Sequence, residues 1–233
     1  VLPMNTGVEG GESAIKLARK WGYNVKGVAE NRARVIFAEG NFWGRTMSAI
    51  SSSTDPSAYT GFGPFMPGFD LVPYNDTVAL EQILEDGDRG SDVVAVMLEP
   101  IQGEAGVIVP NESYLPRVRE LCDKHNVLLI ADEVQTGLAR TGRRLACDHV
   151  NVRPDILILD KALSGGVYPV SAVLCDSPVC QISTNLSNNC RLANSGTTDD
   201  GDAAYAPHQM LIDLLAFNCP AHKKRWRIFK RVQ

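Results

Sequence analysis

Apolar positions recur along the chain in two patterns, which together predict a succession of helices and strands. Three segments place apolar residues at helical spacing: residues 9–21, 77–84 and 114–125. Five short segments are predominantly apolar: residues 34–38, 93–98, 127–131, 156–159 and 170–174. Strands that are buried on both faces of a parallel sheet have this composition. Because strands alternate with helices, the predicted fold class is α/β, with a mostly parallel sheet and helices on both faces.

The pattern changes near residue 176, where we expect a domain boundary. Residues 177–204 are rich in Ser, Asn, Thr, Asp and Gly and carry few apolar positions. The segment 222–231 is basic and contains two aromatic residues. It is either a nucleic-acid or membrane patch or a solvated tail, and we favour the solvated tail. We therefore expect a partial large domain over residues 1–176 and a divergent, poorly ordered tail over residues 177–233.

Composition narrows the classes of partner. The 233 residues carry a formal net charge of -4, with 44% hydrophobic and 21% charged residues, so we expect neither nucleic acid nor an anionic membrane as a partner. No apolar run reaches the roughly 18 residues of a spanning helix. No Cys pair or His has the spacing of zinc ligands, so no metal site is predicted. The first residues lack the basic and apolar regions of a targeting segment, which we expect to lie upstream in a longer protein.

Candidate chemistry appears where two apolar strands end. Asp132 follows the segment 127–131, and Asp160 and Lys161 follow the segment 156–159. The carboxyl ends of parallel strands meet at one sheet edge, where ligands of open α/β sheets bind. Pyridoxal 5'-phosphate (PLP) needs these two groups, because a lysine amine forms a Schiff base with its aldehyde and a carboxylate keeps its pyridine nitrogen protonated. Strand ends also carry charges for solvation alone, so the pair by itself leaves both interpretations open.

Three segments around these residues carry a more specific signal. In chain order they are EPIQGE at residues 99–104, IADEVQTGLARTG at residues 130–142 and KALSGG at residues 161–166. In this order and at this spacing they resemble the class III aminotransferases, a family of PLP fold type I. The resemblance implies PLP as the cofactor. It also implies the large domain of a fold type I PLP-dependent transferase, which we expect to be incomplete in this chain.

Four further segments are similar to the ornithine-using branch of that family: residues 4–9, 41–46, 61–69 and 151–156. The similarity implies transfer of the δ-amino group of ornithine to 2-oxoglutarate, giving glutamate 5-semialdehyde and glutamate, a reaction of proline and arginine metabolism. It also implies a homodimer or higher homo-oligomer in the full-length parent, in the mitochondrial matrix or the cytoplasm. Two alternatives stay open: another class III ω-aminotransferase, of acetylornithine or 4-aminobutyrate type, and a truncated non-catalytic product.

The resemblance also implies roles for the residues that match the family's cofactor motifs. Lys161 would bond the cofactor and move a proton between Cα and C4′, and Asp132 would pair with the pyridine nitrogen. Gln135 would hydrogen-bond the phenolic oxygen of the ring, and Phe42 would stack on the ring face. The phosphate would be held at the start of a helix by backbone N–H groups, those of Thr6, Gly7 and Val8.

Three other matching residues are implied to bind or support the substrate. Arg45 would bind a substrate carboxylate, since a guanidinium group makes a bidentate pair with it. Glu104 would neutralise a second arginine in one half-reaction and release it in the other, and Glu99 would support the site near the cofactor ring. Each has a simpler interpretation, which is a surface arginine for Arg45 and a loop salt bridge for the two glutamates.

The sequence departs from the family pattern at three places, of which Gly11 only slightly weakens a helix. Asp160 stands where the family usually has Gly, and its carboxylate favours the protonated amine of Lys161. Beyond residue 176 we recognise neither the family's phosphate loop nor its C-terminal domain, so we expect the resemblance to end there. A domain cut in this way leaves apolar surface uncovered, and we expect the fragment alone to be unstable and inactive.

Overall fold

The structure of the chain, a computed structural model, describes residues 1–175 and Val179. Its strands and α-helices follow one another as β1 (Leu2–Met4), α1 (Gly7–Trp21), β2 (Arg34–Ala38), α2 (Met47–Ile50), α3 (Pro56–Tyr59), β3 (Phe69–Val72), α4 (Thr77–Glu85), β4 (Val93–Leu98), α5 (Tyr114–Lys124), β5 (Leu128–Asp132), β6 (Ile156–Leu159) and β7 (Ser171–Cys175). A π-helical turn, Gly22–Lys26, continues α1. Three short segments are 3₁₀-helical: Gly90–Asp92, Ala146–His149 and Lys161–Ser164. Apart from Val179, the predicted tail 177–233 lies outside the described residues. Within the described part, no helix is long and apolar enough to cross a membrane.

One sheet contains all of these strands, in the order β1-β7-β6-β5-β4-β2-β3. The pairs β3–β2, β2–β4, β4–β5 and β5–β6 are parallel. Strand β7 runs antiparallel to β6, and β1 runs antiparallel to β7. The prediction of a mostly parallel sheet is therefore confirmed. The carboxyl ends of β4, β5 and β6 lie side by side at one edge of this sheet.

Two separate apolar cores cover the sheet, one on each face. Helix α1 contributes Leu17 to the core that contains Ile130 of β5. Helices α4 and α5 contribute Leu80 and Leu121 to the core that contains Leu129. Both strand residues are 0% exposed, although their side chains point to opposite faces. A central strand between two such cores must be apolar at every position, which explains the apolar run that predicted β5.

The start of α1 is fixed by hydrogen bonds at its first turn. Glu9 N donates to Thr6 Oγ1 at 3.4 Å, and Glu9 Oε2 accepts from Thr6 N at 2.9 Å. This reciprocal capping box satisfies donors that the first turn of a helix leaves without intrahelical partners. Ser171 Oγ donates to the carbonyl oxygen of Thr6 at 2.7 Å, so the first strand-to-helix turn is held against β7.

Glu133 organises the loop that follows β5. It is 1% exposed, yet it carries a carboxylate. That carboxylate accepts hydrogen bonds from Thr136 Oγ1 at 2.5 Å, from Ala146 N at 2.9 Å and from Cys147 N at 2.9 Å. A buried charge is tolerated when hydrogen bonds replace the water it has lost. The loop after Asp132 is therefore tied back to the end of its own strand.

Substitution of Glu133 tests this restraint. Glu133→Ala should lower the free energy of unfolding by about 3 kcal/mol, because three buried donors lose their acceptor. Urea denaturation followed by circular dichroism measures the change. The matched control is Glu112→Ala at an exposed loop position, which should stay within about 0.5 kcal/mol of the original chain. Equal and small effects of the two substitutions would contradict the restraint.

Candidate active site

The parallel strands bring four charged residues to one sheet edge. Leu98 of β4 pairs with Ala131 of β5, so the next residues along the two strands, Glu99 and Asp132, are neighbours. Asp132 in turn pairs with Ile158 of β6, one residue before that strand ends. Strand β6 ends at Leu159, and the chain then continues directly into Asp160 and Lys161. The sheet register therefore confirms that the predicted carboxylate and lysine share an edge.

Asp132 is a buried carboxylate with few compensating contacts. It is 5% exposed, and its Oδ1 accepts a hydrogen bond from Val134 N at 3.0 Å. The pKa of Asp132 is raised to about 7, first by burial and then by the negative charge of Glu99. The bond from Val134 and the positive charge of Lys161 act in the opposite direction without cancelling the shift. A nearby cation would therefore stabilise the charged form of Asp132 and lower its pKa.

Glu99 is a second buried carboxylate and connects the edge to two loops. It is 7% exposed, its Oε1 accepts from Phe42 N at 3.0 Å and its Oε2 accepts from Gly103 N at 3.3 Å. The pKa of Glu99 is raised to about 7, mainly by burial. The two backbone bonds oppose the shift, and the negative charge of Glu104 contributes to it. The loop that carries Phe42 is therefore anchored at the same edge as Asp132.

Lys161 lies within electrostatic reach of both buried carboxylates. It is exposed and begins the 3₁₀ turn that follows β6. Its positive charge lowers the pKa of Asp132 and of Glu99. Its φ is 35°, in the left-handed region that costs a non-glycine residue about 1–3 kcal/mol. Strained backbone of this kind clusters at functional sites, which agrees with a special role for this lysine.

Gln135 and Glu104 are joined directly. Gln135 Nε2 donates to Glu104 Oε1 at 3.0 Å. Gly103 leaves room for the Gln135 amide in this position, since a Cβ there would lie 2.2 Å from Gln135 Oε1 and would displace it. In the structure Glu104 is thus hydrogen-bonded to a glutamine. This contact does not test whether Glu104 also pairs with an arginine, as predicted. Gln135, which is predicted to hold the cofactor, is therefore linked to Glu104, which is predicted to select the substrate.

The N-terminus of α1 is the predicted phosphate end of the site. Two of the three N–H groups assigned to the phosphate already have partners: Thr6 N donates to Glu9 Oε2 at 2.9 Å, and Gly7 N donates to Asp160 Oδ2 at 2.8 Å. Val8 packs against the loop after β2, where a Cβ at Gly44 would lie 2.3 Å from Val8 Cγ2. Carboxylates of the chain itself therefore occupy N–H groups that the sequence assigned to a phosphate.

Arg45 is the predicted residue that the structure leaves apart from the others. It is exposed and lies in the loop before α2. Among the described residues it makes no hydrogen bond or ion pair with another side chain. The described residues also contain no group of three or more His, Cys, Asp or Glu side chains that could hold a metal ion.

The two ends of the site differ in how well they suit PLP. At the ring end, a protonated pyridine nitrogen would supply the positive charge that the buried carboxylate of Asp132 lacks. At the phosphate end, Asp160 already accepts the N–H of Gly7, and a second anion would have to replace it. The ring end therefore fits the cofactor, whereas the phosphate end fits only after Asp160 moves.

Two contributors to the site have no clear signal in the sequence. Tyr74 Oη donates to the carbonyl oxygens of Glu99 and Pro100, at 3.0 Å and 3.1 Å, and so fixes the turn after β4. Tyr74 follows β3, a strand that the apolar pattern did not predict. Glu133 lies in the segment 130–142, which resembles the family. Nothing in the sequence distinguished its structural carboxylate from that of Asp132, which is predicted to face the cofactor.

Comparisons with known proteins agree with this arrangement. The family model for class-III aminotransferases matches residues 1–210. It extends beyond residue 176, where we expected the resemblance to end. The mitochondrial ornithine aminotransferase of Rattus norvegicus is 69% identical over 179 residues, which make up 77% of this chain and 40% of that protein. The chain thus spans about two fifths of the length of the curated relatives it matches.

Solved structures share the fold. An ornithine aminotransferase from Toxoplasma gondii, described with partial occupancy of PLP at its active site, is 55% identical with a TM-score of 0.75, over 78% of this chain and 42% of that one. An acetylornithine aminotransferase from Elizabethkingia anophelis is 51% identical with a TM-score of 0.65, over 78% and 40% of the two chains. Because the family model matches most of the chain and these structures share its sheet, the chain belongs to the class-III aminotransferase family.

Proposed function

We propose that the whole protein transfers the δ-amino group of ornithine to 2-oxoglutarate with PLP as cofactor, giving glutamate 5-semialdehyde and glutamate. The observation that carries the proposal is the buried carboxylate of Asp132 beside Lys161 at the carboxyl edge of the parallel strands. The names of the relatives from rat and Toxoplasma gondii support ornithine as the amino donor. When bound, PLP supplies an electron sink for the carbon that loses its proton.

The residues at the sheet edge have distinct parts in this proposal. Asp132 pairs with the pyridine nitrogen, and its carboxylate charge becomes favourable once that nitrogen is protonated. Lys161 attaches the cofactor through its amine and afterwards carries a proton to and from the carbon that bears the transferred amino group. Phe42 covers the ring face, in a loop that the bond from its N–H to Glu99 keeps in place.

Substrate selection is assigned to residues that flank the ring. Arg45, exposed on its loop, binds a substrate carboxylate through its planar guanidinium group. Glu104 neutralises a second arginine in one half-reaction and releases it in the other. Gln135 hydrogen-bonds the phenolic oxygen of the ring, and its bond to Glu104 ties substrate selection to the position of the cofactor.

An acetylornithine-type activity is the second candidate, since the Elizabethkingia anophelis structure is nearly as similar as that from Toxoplasma gondii. Assays of the whole protein with ornithine, N-acetylornithine and 4-aminobutyrate, each with 2-oxoglutarate, separate the candidates. We expect kcat/KM for glutamate formation to be at least about tenfold higher with ornithine. A higher value with N-acetylornithine would overturn the ornithine assignment while leaving the cofactor site intact. A chain of this length alone is a third candidate, a non-catalytic product.

Assembly and location extend the same proposal. We place the active form in a homodimer or higher homo-oligomer, as the resemblance to the family implies. We place the protein in the mitochondrial matrix or the cytoplasm, since several relatives are named mitochondrial.

Removal of the lysine amine tests cofactor attachment without requiring turnover. After incubation with PLP and reduction with borohydride, mass spectrometry should find the phosphopyridoxyl group on the peptide that contains Lys161. Lys161→Ala should lose this adduct. Lys16→Ala, at an exposed position of α1, is the matched control and should retain it. Persistence of the adduct at full yield in Lys161→Ala would contradict the assignment.

The raised pKa values predict how stability depends on pH. The pKa values of Asp132 and Glu99 are both about 7 in the folded chain, above their ordinary values of 3.8 and 4.5. Between about pH 4 and pH 7 the folded state thus holds more protons than the unfolded state, and the free energy of unfolding falls as pH rises. Glu99→Gln removes one ionisation and should reduce this fall by about 3 kcal/mol.

Urea denaturation of the cofactor-free chain at several pH values across that window measures the effect. Glu112→Gln changes an exposed carboxylate and should leave the slope unchanged. Parallel curves for the original chain and Glu99→Gln would contradict a raised pKa of Glu99 in the folded chain.

A further inference from the structure

Asp160 makes a long-range contact at the phosphate end of the proposed cofactor site. Its Oδ2 accepts a hydrogen bond from Gly7 N at 2.8 Å, across 153 residues of sequence. The packing is close, since a Cβ at Gly7 would lie 3.0 Å from that oxygen and 3.1 Å from Val134 Cγ2. Asp160 is half-buried at this position. The carboxylate is therefore held against the backbone of α1 and is not merely solvated at a strand end.

The chemistry of this contact is that of an anion on a helix N-terminus. The first N–H groups of a helix lack intrahelical acceptors, and the helix dipole favours negative charge beside them. A phosphate bound to such N–H groups uses the same donors and the same field. The neighbouring donors are also engaged, since Asn5 N and Thr6 N both donate to Glu9 Oε2, at 2.8 Å and 2.9 Å. Two carboxylates of the chain thus satisfy the turn that leads into α1.

We propose that Asp160 is an internal anion that closes the phosphate end of the cofactor site, so that a phosphorylated ligand binds only by displacing its carboxylate from Gly7. This inference rests on the proposed function in one respect, namely that PLP is the ligand. A phosphate group and the Asp160 carboxylate cannot share one N–H donor, and two anions within hydrogen-bond distance of one site repel each other. Part of the favourable free energy of phosphate binding therefore offsets the cost of displacing the Asp160 carboxylate.

Displacement of Asp160 also affects the next residue. Lys161 follows it directly and has a φ of 35°. The bond from Gly7 to Asp160 is one of the contacts that fix the path of the chain into this strained residue. When the carboxylate leaves Gly7, the chain loses that contact immediately before Lys161.

The experiment compares three probes, which are PLP, pyridoxal without its phosphate, and inorganic phosphate. Isothermal titration calorimetry measures their affinities for the original chain and for Asp160→Ala. We expect Asp160→Ala to bind PLP and inorganic phosphate about 10- to 100-fold more tightly, because the competing charged hydrogen bond is gone. Pyridoxal should bind both chains with affinities within about twofold of each other, since it has no phosphate to compete.

Two further variants keep the test decisive. Asp160→Asn keeps an oxygen that accepts from Gly7 but removes the charge, so its phosphate affinity should lie between those of the original chain and Asp160→Ala; it also serves if Asp160→Ala does not fold. Asp76→Ala removes the carboxylate that caps α4, by accepting from Val78 N and Ala79 N, and should leave all three affinities unchanged. It is the control for loss of a helix cap in general.

The outcomes separate this inference from the proposed function. If phosphate and PLP bind the original chain and both Asp160 variants equally tightly, Asp160 does not compete and the inference is overturned, even where PLP still attaches to Lys161. If inorganic phosphate binds Asp160→Ala more tightly but no chain forms the reducible PLP adduct on Lys161, the phosphate end is closed by Asp160 as inferred and the proposed cofactor chemistry fails.

Discussion

The arrangement of the site depends on one constraint, the burial of two carboxylates at the edge of parallel strands. Glu99 directly follows β4, and Asp132 is the last residue of the adjacent strand β5. Apolar cores on both faces of the sheet set the register of these two strands. Moving either carboxylate away from the other would shift a whole strand and expose its apolar residues. The core therefore enforces the burial of both carboxylates, and burial is the main cause that raises the pKa of each to about 7. The negative charge of Glu99 adds to the shift of Asp132. Lys161 offsets part of this cost.

Neighbouring loops adapt to that edge through specific hydrogen bonds. The N–H groups of Phe42 and Gly103 are directed at Glu99, and Glu133 uses its own carboxylate to tie the next loop to β5. The helix α1 adapts in a comparable way, because its N-terminal donors are satisfied by the chain's carboxylates, including Asp160. The same physical need, partners for buried or unpaired polar groups, explains both the rigidity of the ring end and the closure of the phosphate end.

Central strands could be predicted from the sequence because burial on both faces leaves a continuous apolar run. The bounds of β4 and β6 coincide with those runs. Strand β3 could not be found this way, since its Asp70 is buried only because Arg34 and Arg89 pair with it from other segments. The apolar pattern of a four-residue strand cannot report partners that the fold brings from elsewhere.

In the site, too, features that are local in sequence could be predicted, whereas contacts between distant segments could not. The positions of Asp132 and Lys161 followed from strand ends and flanking motifs, both of which are local in sequence. The sequence marked Asp160 as a departure from the family pattern and suggested an effect on the adjacent lysine amine. It could not indicate the bond to Gly7, because that contact joins residues 153 positions apart and exists only once β6 and α1 have packed together.

A crystal structure of the chain with bound PLP tests the central claim most directly, since it locates both ends of the cofactor at once. The account predicts a pyridine nitrogen within about 3.2 Å of an Asp132 carboxylate oxygen, and an Asp160 carboxylate displaced from Gly7 by the phosphate. A ring placed away from Asp132, or a phosphate bound while the Asp160 carboxylate remains on Gly7 N, would contradict it.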